Sequence, residues 1–188
     1  MKEEEAGRLL LAENQPDRRL RVLSALLTRE SGLGIDGLMI VGGSAIEIYT
    51  GGDYVSGDVD YVTDSREAVA RVLRSWNFTD KGKWFSKDEW GLFVDVMETQ
   101  GTGSRRLTRV IDTKVGPFRI AGIEDLLIKR VREAIHWQDR KEAFDQAVLL
   151  ARHADRVDWR YIEFYASQEK WLPQLKALRR VAMVDRRS

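Results

Sequence analysis

The apolar positions of this chain switch repeatedly between helical and strand spacing. In residues 3–29, "EEEAGRLLLAE" and "DRRLRVLSALLTRE" set Leu20, Val22, Leu23, Leu26 and Leu27 at helical intervals. Asn14-Gln15-Pro16 breaks that run, and Asp17 opens a second helix. "LMIV" (38–41) is a continuous apolar run that stops at glycine, which predicts a buried strand. Ser44 to about Thr50 reads as a short helix closed by Gly51-Gly52. "DVDYVT" (58–63) alternates as a strand does. "SREAVARVLRSW" (65–76) predicts a helix with Ser65 as its N-cap and Val69, Val72, Leu73 and Trp76 on one side. "KWFSKDEWGLFVDVME" predicts a hairpin turning near Asp88-Glu89, and "RRLTRVIDTKVGPFRIAG" two further strands around Gly116-Pro117. From Ile123 onward the spacing is helical only, with helices expected near 123–135, 139–153, 158–168 and 170–182.

Strands and helices interleaved to about residue 120, then helices alone, argue an α/β or α+β domain followed by a helical region. The expected division is 1–120 for the core with its N-terminal helices, and 121–188 for helices packed on it. Composition agrees with a folded chain: 43% of the 188 residues are hydrophobic and 32% charged. Lys and Arg (31) nearly cancel Asp and Glu (30), a net charge of +1, so bulk charge selects no polyanionic partner. The absence of cysteine excludes disulfides and thiolate metal sites. No apolar run approaches the roughly 18–20 residues that span a bilayer, so no membrane partner is expected. The acidic start "MKEEEAGRLLLAEN" is unlike a secretory leader, so a cytoplasmic protein is expected.

The chemistry concentrates in "MIVGGSAIEIYTGGDYVSGDVDYV" (39–62). A strand running into Gly42-Gly43-Ser44 turns sharply and presents main-chain N–H groups at a helix start, where anions bind. A tight turn with no ligand is the other reading. Asp58 and Asp60 alternate onto one strand face, where like charges repel unless a hard cation such as Mg²⁺ offsets them. A solvated strand edge is the alternative. Asp95 is an acid among Phe93, Val94, Val96 and Met97, a costly position without a cation or hydrogen bonds. Were its strand beside that of Asp58 and Asp60, three carboxylates would converge.

These residues resemble the signature of the nucleotidyltransferase superfamily, the DNA polymerase beta-like fold. That signature is a glycine turn after a hydrophobic strand, a spacer, and then Asp-hydrophobic-Asp-hydrophobic. Here the spacer, Ala45 to Gly57, is thirteen residues, at the long end. More narrowly, the opening and the later "IEDLLIKRVREAIHWQDRKEAFDQAVLL" are similar to small prokaryotic nucleotidyltransferase-like proteins, over about residues 38–165. The resemblance implies an α+β nucleotidyltransferase fold: a mixed sheet flanked by helices, then a C-terminal helical region. It implies transfer of a nucleoside monophosphate from an NTP to a hydroxyl of RNA, protein or a small molecule. Asp58 and Asp60 would hold Mg²⁺ (or Mn²⁺), Asp95 would complete the acidic triad, and Gly42, Gly43 and Ser44 would hold phosphates. The alternative within the same fold is a non-catalytic binding module, a regulator or one component of a toxin–antitoxin pair with a partner protein.

Other candidates are less specific. Lys129 or Arg130, on one predicted helix, could reach a triphosphate, or could line a solvated face. Glu124 and Asp125 suit the positive end of that helix. The tryptophans are expected mainly in the core, His136-Trp137 at a helix end, and the basic C-terminus in solvent.

Overall fold

The computed structural model describes residues 1–99, 107–136, 140–153 and 157–184. The chain divides into two compact units, residues 1–121 and 122–188.

The first unit opens with helices α1 (Glu3–Leu11) and α2 (Pro16–Ser31), separated at the predicted break. Then come β1 (Leu38–Val41), α3 (Gly42–Thr50), β2 (Val59–Thr63) and α4 (Arg66–Ser75). The remaining strands are β3 (Thr79–Asp80), β4 (Trp84–Lys87), β5 (Leu92–Glu98), β6 (Thr108–Thr113) and β7 (Gly116–Ala121). At the candidate site, two boundaries differ from the expectation. α3 begins at Gly42 rather than Ser44, because Gly42 at φ +64° turns the chain straight from strand into helix. Asp58 precedes β2 instead of lying in it. The Asp88–Trp90 segment winds as a 3₁₀ turn between β4 and β5, as a hairpin requires.

The seven strands form one sheet in the order β3-β4-β5-β2-β1-β7-β6. β2 runs parallel to β5 and β1 parallel to β7, while the other pairs are antiparallel, so the sheet is mixed. One face carries Leu38, Ile40, Val59, Tyr61, Phe85, Val94, Val96, Phe118 and Ile120, all buried. Helix α2 packs on β1 and β7, and α4 on β5. Trp76 closes this core beside Trp90, ring centroids 6.2 Å apart. The opposite face is more open: Asp60 and Asp95 are half-buried, and Trp84, Phe93 and Met97 are exposed. This alternation is the period of two, read out in burial.

The second unit is helical: α5 (Ile123–His136), α6 (Arg140–His153), α7 (Trp159–Gln168) and α8 (Leu172–Val184). Its interior is built from Leu127, Val131, Ala147, Leu150, Ile162, Leu175 and Leu178. Glu124 and Asp125 do more than complement the helix dipole. Glu124, buried, accepts the Asp158 N–H at 2.9 Å, and Asp125 accepts the Tyr161 hydroxyl at 3.2 Å, so α5 is tied to the start of α7. Burial pushes the Asp125 carboxyl above its ordinary value, partly offset by that hydroxyl. His136 ends α5 as expected, and Trp137 lies outside the described residues.

Candidate functional site

The site is assembled by register. Asp60 in β2 is the direct partner of Asp95 in the parallel neighbour β5, and of Val41 at the end of β1. Side chains paired across neighbouring strands share a face, so the two carboxylates project together from the open side of the sheet. Asp58, two residues before Asp60, is exposed, and accepts a long hydrogen bond from Ser56 Oγ at 3.4 Å. Asp58 and Asp95 line one groove of about 450 Å³, with Gly57, Lys83, Trp84, Phe93 and Val94. The structure therefore brings Asp60 beside Asp95 in register, and Asp58 to a groove that it shares with Asp95.

The glycine turn meets the same acids from the β1 side. A Cβ built on Gly42 would lie 2.1 Å from Asp60 Oδ2, a distance no side chain tolerates. Glycine at 42 is thus required both by its positive φ and by the carboxylate pressed against it. Gly43 is filled from another direction: its Cβ would meet Ser56 Oγ at 2.7 Å and the Tyr54 hydroxyl at 3.3 Å. Residues 54–56 thus lie over the turn. Ser44 is fully buried. Its hydroxyl donates to the Val41 carbonyl at 2.9 Å and accepts the Asp60 N–H at 3.1 Å. Both roles of that hydroxyl are taken within the chain, where it locks the helix start to the acid-bearing strand.

Glu47, on α3, was not singled out in the sequence. It is 2% exposed, and its Oε2 accepts the Ser56 N–H at 2.6 Å. Burial pushes its carboxyl above the ordinary value, the Ser56 N–H opposes this, and the negative charge of Asp17 adds to it. Glu47 holds the segment that leads into Asp58 and lines a second groove, of about 210 Å³, with Ser56, Asp58 and Phe93. Trp84 and Phe93 were also missed. Phe93, Asp95 and Met97 alternate onto one face, but the strand is apolar at both parities, so the sequence does not mark that face as the open one.

Lys129 belongs to the second unit. There its side chain is 60% exposed with the ammonium 3.9 Å from Glu133, and Arg130 pairs with the same carboxylate at 2.5 Å.

Does this donor set suit a hard divalent cation? The candidate ligands are all carboxylate oxygens, the chemistry Mg²⁺ and Mn²⁺ accept, and two of them are register neighbours. Among the described residues, no three His, Cys, Asp or Glu side chains are grouped to enclose an ion by themselves. The donor set fits the mode in which one or two carboxylates share the cation with substrate phosphates.

No protein-family model and no curated protein matches the sequence. Among solved structures, the chain is similar to the crystal structure of an antigenic nucleotidyltransferase-like protein from Paracoccidioides brasiliensis. The match has a TM-score of 0.55 at 12% identity and covers 85% of this chain and 91% of that one. The chain therefore shares its fold with a nucleotidyltransferase-like protein: an α+β architecture with a mixed sheet and C-terminal helices.

Proposed function

We propose that this protein is a nucleotidyltransferase that moves a nucleoside monophosphate from an NTP to a hydroxyl acceptor. The observation that carries the reading is the register pair Asp60–Asp95, set against a positive-φ backbone turn at Gly42, where an added Cβ would meet the Asp60 carboxylate. In the reaction, the acceptor oxygen bonds to the α-phosphorus while the bond from that phosphorus to the β-bridging oxygen breaks. Pyrophosphate leaves with the electron pair, and the hydroxyl proton passes to a carboxylate, for which Asp95 is the candidate. Asp58 and Asp60 would hold Mg²⁺, which supplies charge neutralisation to the phosphates when bound. Gly42 and Gly43 would offer main-chain N–H groups to the phosphates once residues 54–56 lift from the turn.

A second reading, a non-catalytic binding module in a regulatory or toxin–antitoxin setting, is favoured by one arrangement. The Ser56 and Tyr54 hydroxyls fill the space over Gly43, and the Ser44 hydroxyl is engaged internally.

The two separate on incubation with Mg²⁺, each α-labelled NTP and cell extract. The transferase reading expects label on one RNA, protein or small-molecule species. That label is lost in Asp60→Asn and Asp95→Asn, and also in Gly42→Ala, whose new methyl displaces Asp60. NTP binding without transfer by the unaltered protein would establish the second reading instead.

A further inference from the structure

The open face of the sheet continues past the acids. Trp84 is the register partner of Asp95 across β4 and β5, and Phe93 pairs with Ser86 one step along the same face. Asp95 is therefore bracketed by an aromatic side chain opposite it and another two residues before it. Both rings are 47% exposed, although each carries enough apolar surface to be drawn into a core. They are not stray surface residues, because both line the groove of about 450 Å³ that holds Asp58 and Asp95. The turn that delivers Trp84 is Lys81-Gly82-Lys83, tightened by the Lys81 N–H to the Trp84 carbonyl at 2.9 Å. Lys83 lines the same groove. It has no ion-pair partner among the described residues, and Lys81 is exposed beside it.

Across the sheet the order is glycine turn at the end of β1, acids on β2 and β5, and rings with lysines at β5 and β4. The phosphates of a donor nucleotide would occupy the first of these. Trp84 lies opposite Asp95 on β4 and Phe93 two residues before it on β5, so an acceptor held on the rings would sit beside Asp95.

We propose that Lys83, Trp84 and Phe93 form a binding site for the 3′ end of a single-stranded RNA, whose terminal bases stack on the rings and whose phosphates meet the lysines. Rings that stack on bases, with cations beside them, are how single strands are held without sequence readout. The groove is of the size that takes a small planar ligand. The lysines are chemically complementary to a phosphodiester backbone, which a serine- or threonine-bearing protein acceptor does not offer. That the RNA is the acceptor rests on the transferase reading; that it binds here does not.

The test is fluorescence anisotropy of a labelled single-stranded oligoribonucleotide about eight nucleotides long, within the usual site size of such grooves. It is titrated with the full chain in the absence of NTP and divalent metal. Trp84→Ala and Phe93→Ala each weaken binding about tenfold, the size of one lost base stack. Trp84→Phe restores most of it. Phe164→Ala, removing a 60% exposed ring of the helical unit, leaves it unchanged. Lys83→Ala lowers the slope of log K against log salt by about 0.7, one phosphate contact on a single strand. The melting temperature of each variant, measured alongside, separates lost binding from lost fold.

Equal oligonucleotide affinity in the parent, Trp84→Ala and Phe93→Ala overturns the proposal. So does label transfer to a protein band that depends on Trp84. If transfer fails but Trp84-dependent RNA binding persists, the transferase reading falls and the RNA site stands.

Discussion

Glu47 is a carboxyl with almost no contact with solvent, holding one N–H of the segment that carries Asp58. Its proton is held more tightly in the fold than in the unfolded chain, chiefly because burial penalises the charge. A raised carboxyl contributes its stability below the ordinary value of 4.5, and that contribution is lost as pH rises through the folded-state value. Glu47→Gln keeps an oxygen acceptor for Ser56 and removes the ionisation. The variant is therefore expected to melt with the parent near about pH 4 and above it near about pH 7. The gap should be about 2–4 °C for each kcal/mol relieved in a chain of this size. Calorimetry across that range checks it. A variant that melts below the parent by the same margin at every pH would mean that the carboxylate's charge is no burden to the fold.

At the scale of elements, the tie between α2 and β2 is a buried hydroxyl pair. Ser24 donates its only hydroxyl proton to the Leu20 carbonyl at 2.7 Å, so the Tyr61 hydroxyl, 2.8 Å away, must donate to Ser24. Both side chains are buried, and burial pushes the Tyr61 phenol well above its ordinary value. The two obvious variants are therefore unequal. Tyr61→Phe removes a donor and leaves Ser24 with one idle lone pair, a loss of about 1 kcal/mol. Ser24→Ala strands the Tyr61 O–H in an apolar interior, a loss of about 1–3 kcal/mol. Urea denaturation of both checks the order; a larger loss for Tyr61→Phe would mean that the proton is shared the other way. This pair, like the register, was not legible in the sequence. Alternation placed Asp60 and Asp95 on strands, yet nothing local says that β5 sits directly beside β2, with β4 on its far side. The two-residue β3 carries no period of its own and exists only because β4 offers it an edge. The same limit hid the rings: "GLFVDVM" is apolar at both parities, so which parity faces out is decided by what packs on the sheet. By contrast, β1, α4 and α5 were readable, since their runs, caps and stripes are properties of contiguous residues. The role of Ser44 was not: an internal hydroxyl lock and a phosphate ligand look identical as the letter S after two glycines.

At the scale of the molecule, the whole sheet, the helices on its buried face, the glycine turn, the three acids and the exposed rings Trp84 and Phe93 all belong to residues 1–121. That unit contains its own core, from Leu23 and Leu26 through Tyr61, Trp76 and Phe85 to Phe118 and Ile120, all at or near zero exposure. A segment that supplies such a core has what a cooperative domain requires. The helical unit in turn carries its own polar ties, Glu124 to Asp158 and Asp125 to Tyr161. The fragment 1–121 is accordingly expected to melt in a single transition, with the near-ultraviolet dichroism of an ordered Trp76–Trp90 pair. It should also bind the oligoribonucleotide within a few-fold of the full chain, because Lys83, Trp84 and Phe93 come with it. A fragment with helical and strand dichroism but no near-ultraviolet signal would be a collapsed chain lacking fixed packing. It would assign to residues 122–188 a share in holding the core together. An ordered fragment that binds RNA but transfers no label would instead assign to residues 122–188 a part in the transfer step.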